Sequence, residues 1–227
     1  MDTIGANLQA VKQRIVTAAL ACGRNPADIG LIAVSKTFGA DAVAAAHACG
    51  QHAFGENHAQ EALEKIAALH HLPLQWHYIG PIQSNKTRPI AEHFDWVHSI
   101  DRVKIAARLS AARPAGLAPL QVCIQVNIGD ESTKSGVAPG EALALARAVA
   151  ALPRLRLRGL MAIPPASGDH AQQRRHFAQL RQLKDEITAA GVALDTLSMG
   201  MSADLEAAIA EGATLVRVGI AIFGPRQ

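Results

Sequence analysis

Cysteine is sparse in this sequence: Cys22, Cys49 and Cys123 are the three present, and no two of them have C-x-x-C spacing. That argues against a disulfide framework and against a cysteine zinc site, and it points to a reducing compartment. Charge of one sign is equally thin, with a formal net charge of +3 when the ten histidines are neutral. The basic runs "PRLRLRG" (153–159) and "QQRRHF" (172–177) alternate with apolar residues. They read as the solvated faces of a strand and a helix, not as a footprint for nucleic acid. Long hydrophobic runs are missing too. No stretch reaches the roughly 18 uninterrupted apolar residues of a membrane span. The N-terminal "MDTIGANLQAVKQRI" begins with an acid and shows no apolar run of signal-peptide length. A cytoplasmic protein with neither a membrane nor a nucleic-acid partner is expected.

What the sequence does contain is a regular alternation. Hydrophobic residues make up 49% and charged residues 18%, as in a well-buried globular enzyme-like chain. Eight β-type runs stand out, at 29–35, 52–56, 74–80, 94–100, 120–128, 155–163, 194–200 and 214–223. Helical patterns separate most of them, and an initial helix over 3–22 precedes the first. Gly50, Gly191 and Gly212 close helices as left-handed residues just past the end, while Asp101 and Ser202 are placed as N-caps. The stretch "PIQSNKTRPIAEH" (81–93) reads as the least regular linker, with Pro81 and Pro89 in it. Strands alternating with helices imply right-handed βαβ units and a parallel sheet. Eight such units suit a closed (β/α)₈ TIM barrel of class α/β with an extra N-terminal helix, a single domain over 1–227; a doubly wound open sheet is the alternative.

In such a barrel the chemistry sits at the C-terminal strand ends. Strand one, "LIAVSKTFGA", runs out into Ser35, Lys36 and Thr37. A lysine desolvated there has a depressed pKa and can form a Schiff base with an aldehyde; a solvated turn residue is the plainer alternative. "SMGMSADLEAAI" puts Ser198, Gly200 and Ser202 before a helix, and Gly219 follows in the neighbouring last strand. Small residues let a backbone approach a ligand, and the loops after strands seven and eight are the usual phosphate site of this fold. Taken alone, the first of these is better explained as an ordinary capped helix, with Ser202 as N-cap and Glu206 nearby. An amine opposite a phosphate site suits pyridoxal 5′-phosphate, an aldehyde that carries a phosphate. His77 and His98 lack metal spacing and are assigned to pocket lining or satisfied hydrogen bonds, and Met161, Met199 and Met201 to packing of the pocket floor.

The motifs "AVSKT", "FGEN", "WHYIGPIQSNK", "VHSID", "QVNIGDESTKSG", "GLMAIPP" and "LSMGMSADLEAAIAEGATLVRVGIAIFG" occur in that order. Together they resemble the YggS/PROSC family, the pyridoxal phosphate homeostasis proteins, over about residues 30–224. That family has a barrel similar to the N-terminal domain of bacterial alanine racemase. The resemblance implies pyridoxal 5′-phosphate bound covalently as an internal aldimine on Lys36. It implies that Ser202, Gly219 and Ile220, with the backbone around Met199 and Gly200, hold the phosphate, that Arg217 faces the pyridine nitrogen, and that Asn57 lines the pocket. Lys134 lies where the racemase has an arginine near the cofactor, and could assist cofactor transfer or be a plain loop lysine.

The one tyrosine, Tyr78, ends strand three inside the barrel, so by position it cannot be the catalytic tyrosine that the racemase takes from a second domain. The sequence continues only three residues past Gly224, and no second domain is expected. The implied function is to hold and deliver pyridoxal phosphate, with no catalytic residue and no metal site assigned. Apo-enzymes would be the recipients and the chain a monomer. A pyridoxal-phosphate enzyme acting on amino acids, such as a weak racemase, is the alternative.

Overall fold

The computed structural model describes residues 3–129 and 135–225. Lys134 therefore lies outside the described residues. Eight parallel strands close into a barrel in simple sequential order, β1 through β8. The strands are β1 (Gly30–Val34), β2 (Ala53–Glu56), β3 (Gln75–Tyr78), β4 (Trp96–Ile100), β5 (Leu120–Gln125), β6 (Leu155–Met161), β7 (Thr196–Ser198) and β8 (Leu215–Val218). The helices are α1 (Thr3–Ala21), α2 (Ala40–Ala48), α3 (Ala59–Ala68), α4 (Thr87–His93), α5 (Val103–Ala112), α6 (Ala142–Ala150), α7 (His170–Ala189), α8 (Leu205–Ala210) and α9 (Ile220–Phe223). The (β/α)₈ barrel expected from the alternation is the fold. Gly50, Gly191 and Gly212 have φ of +80°, +93° and +96°, as their helix-closing role requires.

Strand alternation divides the apolar residues between two cores. The outward-facing residues meet the helices in a continuous layer that includes Phe54, Phe94, Phe177, Ile90 and Leu109. Each such side chain contributes about 1.5–3 kcal/mol by leaving water. A smaller cluster of Trp96, Cys123 and Met161, with Leu215 against it, lies apart from that layer. Helix α1 turns Leu8, Val11, Ile15, Ala18 and Ala19 inward, a spacing of three and four residues that makes one apolar stripe. It packs on α2, α8 and α9, and its Arg14 donates to Ser202 O at 3.1 Å and pairs with Glu206 at 2.9 Å.

Four local expectations change. Residues 81–93 contain a helix, α4, where a linker was expected. Pro89 is its third residue, where the backbone N–H would have no partner within the helix, so the proline costs nothing there. The last strand ends at Val218, and Ile220–Phe223 is a helical turn. A continuous apolar run does not distinguish strand from helix. Here the turn is held by Asn7 Nδ2 donating to Ile222 O at 3.0 Å and by Phe223 stacking on Phe38 at 5.2 Å. Ser202 is not an N-cap: α8 starts at Leu205 behind Asp204, whose Oδ1 accepts from the Met201 N–H at 2.6 Å. Asp101 is not one either. It pairs with the neighbouring Arg102, which precedes α5 without a side-chain cap.

Candidate functional site

Closure of the barrel sets the site. β1 pairs with β8 in a register that puts Ile32 opposite Arg217 and Ala33 opposite Val218. The continuation of β1 therefore runs beside Gly219 and Ile220. A small cleft at this seam is lined by Val34, Lys36, Phe38, Gly219, Ile220 and Gly224. Lys36 and the Gly219–Ile220 pair, separated by most of the sequence, thus share one wall. Gly219 has to be small: a Cβ there would sit 3.1 Å from Val34 O. A side chain there would press on the end of β1, so the glycine lets the two strand ends approach closely beside Lys36.

Below the mouth, a chain of hydrogen bonds runs down the inside of the barrel. Arg217 Nη1 donates to Ser198 Oγ at 2.7 Å, and Arg217 Nη2 donates to Ala162 O at 3.0 Å. Ser198 Oγ meets His98 Nδ1 at 2.8 Å, His98 Nε2 meets His77 Nδ1 at 2.9 Å, and His77 Nε2 meets Gln75 Oε1 at 3.0 Å. Its direction is fixed from the two ends. The Arg217 guanidinium can only donate to Ser198, and Gln75 Oε1 can only accept, so His77 Nε2 carries a proton. With both rings neutral, His77 Nδ1 is then an acceptor, and Ser198 donates its hydroxyl proton to His98 Nδ1. His98 Nε2–H then donates to His77 Nδ1, and His77 Nε2–H to Gln75. Both imidazoles are neutral in this arrangement. Burial agrees, pushing His77 down to about 3 and His98 well below its ordinary value. Burial also lowers Arg217, but only to about 10, so the guanidinium stays a cation at neutral pH. His77 stacks on Trp96 at 5.5 Å, and Arg158 lies 5.0 Å over the Trp96 ring.

The remaining residues singled out in the sequence divide between mouth and wall. Asn57, just past β2, has a buried Oδ1 with no hydrogen-bond partner, which is the mark of an acceptor waiting for a donor. Gly200 has φ of +93° and gives its carbonyl to the Arg217 N–H at 2.9 Å. Met199 is fully buried in the outer core, and its N–H donates to Leu215 O at 3.0 Å. That N–H is spent within the barrel wall. Ser198, grouped with Gly200 and Ser202 in the sequence reading, lies one layer lower with its hydroxyl engaged by Arg217 and His98. His98 and His77 are satisfied hydrogen-bonding residues, as expected. Among the described residues no group of His, Cys, Asp and Glu could hold a metal, and no helix is long and apolar enough to cross a membrane.

Sequence reasoning missed a second polar group behind the Lys36 turn, made by Glu56, Glu61 and Lys65. Its one signal was the Glu-to-Lys spacing of four in "EALEK", which reads as an ordinary surface pair.

Comparison with known proteins places this geometry. The family model described as alanine racemase, N-terminal domain, matches residues 5–227. The pyridoxal phosphate homeostasis protein of Pseudomonas aeruginosa is 62% identical over 227 residues, covering 100% of this chain and 97% of the relative. The protein of the same name from Escherichia coli K12 is 53% identical over 100% of this chain and 98% of its own. The solved structure of PipY from Synechococcus elongatus with pyridoxal phosphate bound superposes with a TM-score of 0.85 at 38% identity, covering 97% of this chain and 100% of that one. Alanine racemase of Clostridium difficile shares the fold at a TM-score of 0.75 and 17% identity, with 99% of this chain matching 57% of the racemase. The chain belongs to the family of the pyridoxal phosphate homeostasis proteins, built on the alanine racemase N-terminal domain.

Proposed function

We propose that this protein binds pyridoxal 5′-phosphate at the barrel mouth, holds it and delivers it to apo-enzymes, and does not catalyse efficiently. The observation that carries this reading is the shared wall of Lys36, Gly219 and Ile220, with Arg217 below on the same two strands. The residues present fit the group: an amine, a close glycine approach of the last strand at Gly219, a buried guanidinium and an orphan acceptor at Asn57. The cofactor brings an aldehyde carbon, a phosphate dianion and a ring nitrogen. Lys36 Nζ supplies the amine for a covalent bond to the aldehyde carbon, with loss of one water. The Gly219 and Ile220 backbone, the Ser202 hydroxyl and the backbone at Gly200 receive the phosphate. Arg217 faces the ring nitrogen and, as a persistent cation, keeps a proton off it. That weakens the ring as an electron sink, which suits holding more than turnover. Ser198 and Met199 then act from behind, through Arg217 and the barrel wall. Lys134 assists transfer.

Tyr78 supports the same reading. Its hydroxyl is shared between Asn57 O at 3.2 Å and Pro81 O at 3.1 Å, and burial pushes it up to about 12. A phenol so engaged is not poised to exchange a proton with a substrate. The protein works as a monomer in the cytoplasm. Borohydride reduction of the protein with pyridoxal phosphate, followed by peptide mapping, tests the covalent assignment. The label is expected on Lys36 and absent from Lys36→Ala. A wild-type protein that takes up no cofactor overturns the binding reading. Rapid incorporation of solvent deuterium at the α-carbon of amino acids overturns the non-catalytic one.

A further inference from the structure

Outside the barrel wall, the end of β1 meets α3. Ser35, Lys36, Thr37 and Phe38 make a four-residue turn, closed by the Phe38 N–H donating to Ser35 O at 3.1 Å. Thr37, the third residue, has φ of +70°. Turns with a positive φ at that position take glycine or asparagine, and a β-branched residue there is strained. Strain of this kind persists only where the surroundings over-determine it.

Two side chains of α3 do so. The Thr37 N–H donates to Glu61 Oε1 at 2.6 Å. The same oxygen accepts from Lys65 Nζ at 2.7 Å, one helical turn further on. Lys65 Nζ also donates to Ser35 O at 2.8 Å and to Glu56 Oε1 at 2.7 Å, which uses all three of its N–H groups. Ser35 Oγ adds a bond to Glu56 Oε1 at 2.6 Å. Lys65 is 5% exposed and Glu56 fully buried, so these are not surface pairs. Burial pushes Glu61 up, but the bonds from Lys65 and Thr37 outweigh it and hold the carboxyl below its ordinary range. The backbone is therefore pinned on both sides of Lys36: through the carbonyl of Ser35 by Lys65, and through the amide of Thr37 by Glu61.

We infer that Glu61 is a positioning residue for Lys36: by bonding the Thr37 amide it keeps the turn left-handed, and so aims the lysine side chain at the Gly219–Ile220 wall. The inference rests on the reading that Lys36 takes an aldehyde. The ion pair with Lys65 fixes Glu61 in place, and its acceptor oxygen does the positioning.

Three variants test this without touching the cofactor site: Glu61→Ala, Glu61→Gln, and Glu61→Ala combined with Thr37→Gly. Glu61 is partly exposed, so its loss leaves a folded protein, checked by circular dichroism. Glu61→Ala should weaken pyridoxal phosphate binding about tenfold, the equivalent of about 1.4 kcal/mol. Glu61→Gln keeps an acceptor oxygen and should stay within about threefold of wild type, a margin set at half that free energy. The double variant should recover most of the loss, because glycine holds a positive φ unaided. Amide exchange at Thr37 gives a readout independent of the cofactor: slow in wild type and Glu61→Gln, fast in Glu61→Ala. If wild type binds no cofactor, the binding reading fails and the exchange rates still test the brace. Unchanged binding in Glu61→Ala, no recovery in the double variant, or equal Thr37 exchange in wild type and Glu61→Ala each overturns the inference.

Discussion

The polar network inside the barrel and the one outside it lie under the same mouth and are built from different chemistry. Inside, Arg217, Ser198, His98 and His77 are all nearly or fully buried, and the guanidinium is the single charge in the chain. Outside, Lys65, Glu56 and Glu61 are charged groups tied to two strand ends. A neutral, one-directional chain orients the guanidinium without cancelling its charge, so its field still reaches the mouth. The ionic brace sets one ammonium between two carboxylates and fixes a backbone. One network shapes a field and the other shapes a turn.

Breaking each network should show that difference in size and kind. Lys65→Met has the largest expected effect. It leaves fully buried Glu56 without its ammonium, and loss of one partner from a buried pair costs about 3–5 kcal/mol. Urea denaturation measures it. Ser198→Ala should cost less, about 1–3 kcal/mol, since it leaves a guanidinium N–H and a His98 lone pair unmatched but strands no charge. The same variant should shift the visible absorption of the bound cofactor, because it frees the guanidinium that Ser198 orients.

The next prediction concerns acid. His77 stays neutral in the fold down to about 3, while its unfolded value is 6.5. Below 6.5 the unfolded chain takes up a proton that the folded one refuses. Stability from this group is thus complete above pH 6.5 and is lost as the pH falls toward 3. Thermal melts of His77→Phe across that window should show a flatter acid limb, by about 1.4 kcal/mol per pH unit at most. The smallest effect is expected of Arg158→Ala. It removes the cation over Trp96 and an ion pair with Asp195, together about 1 kcal/mol or less at a partly exposed site. It should leave cofactor binding unchanged.

The fold was legible because its signals are local. Eight short apolar runs, glycines at helix ends and an apolar stripe on α1 each follow from neighbours in sequence. The misread pieces are those that tertiary contact decides. "IAIF" turns helical because Asn7 and Phe38 wait for it, and α4 tolerates Pro89 because the proline falls in the first turn. At the site, Lys36 and Gly219 were legible as the ends of neighbouring strands. Ser198 was singled out with Gly200 and Ser202 as part of the phosphate loop, but its partners Arg217 and His98 appear only once strand alternation turns it inward. Glu61 and Lys65 carry no sign in sequence of the turn they hold, since Thr37 at φ +70° is visible only in three dimensions.

The central claim is that this seam of the barrel grips pyridoxal phosphate through Lys36. Titration of the protein with the cofactor, followed by visible absorption, tests it most directly when wild type and Lys36→Ala are run side by side. Saturable growth of a yellow band at one equivalent, absent from Lys36→Ala, is the predicted result. Identical titrations for the two proteins, or no saturable band in either, would contradict it.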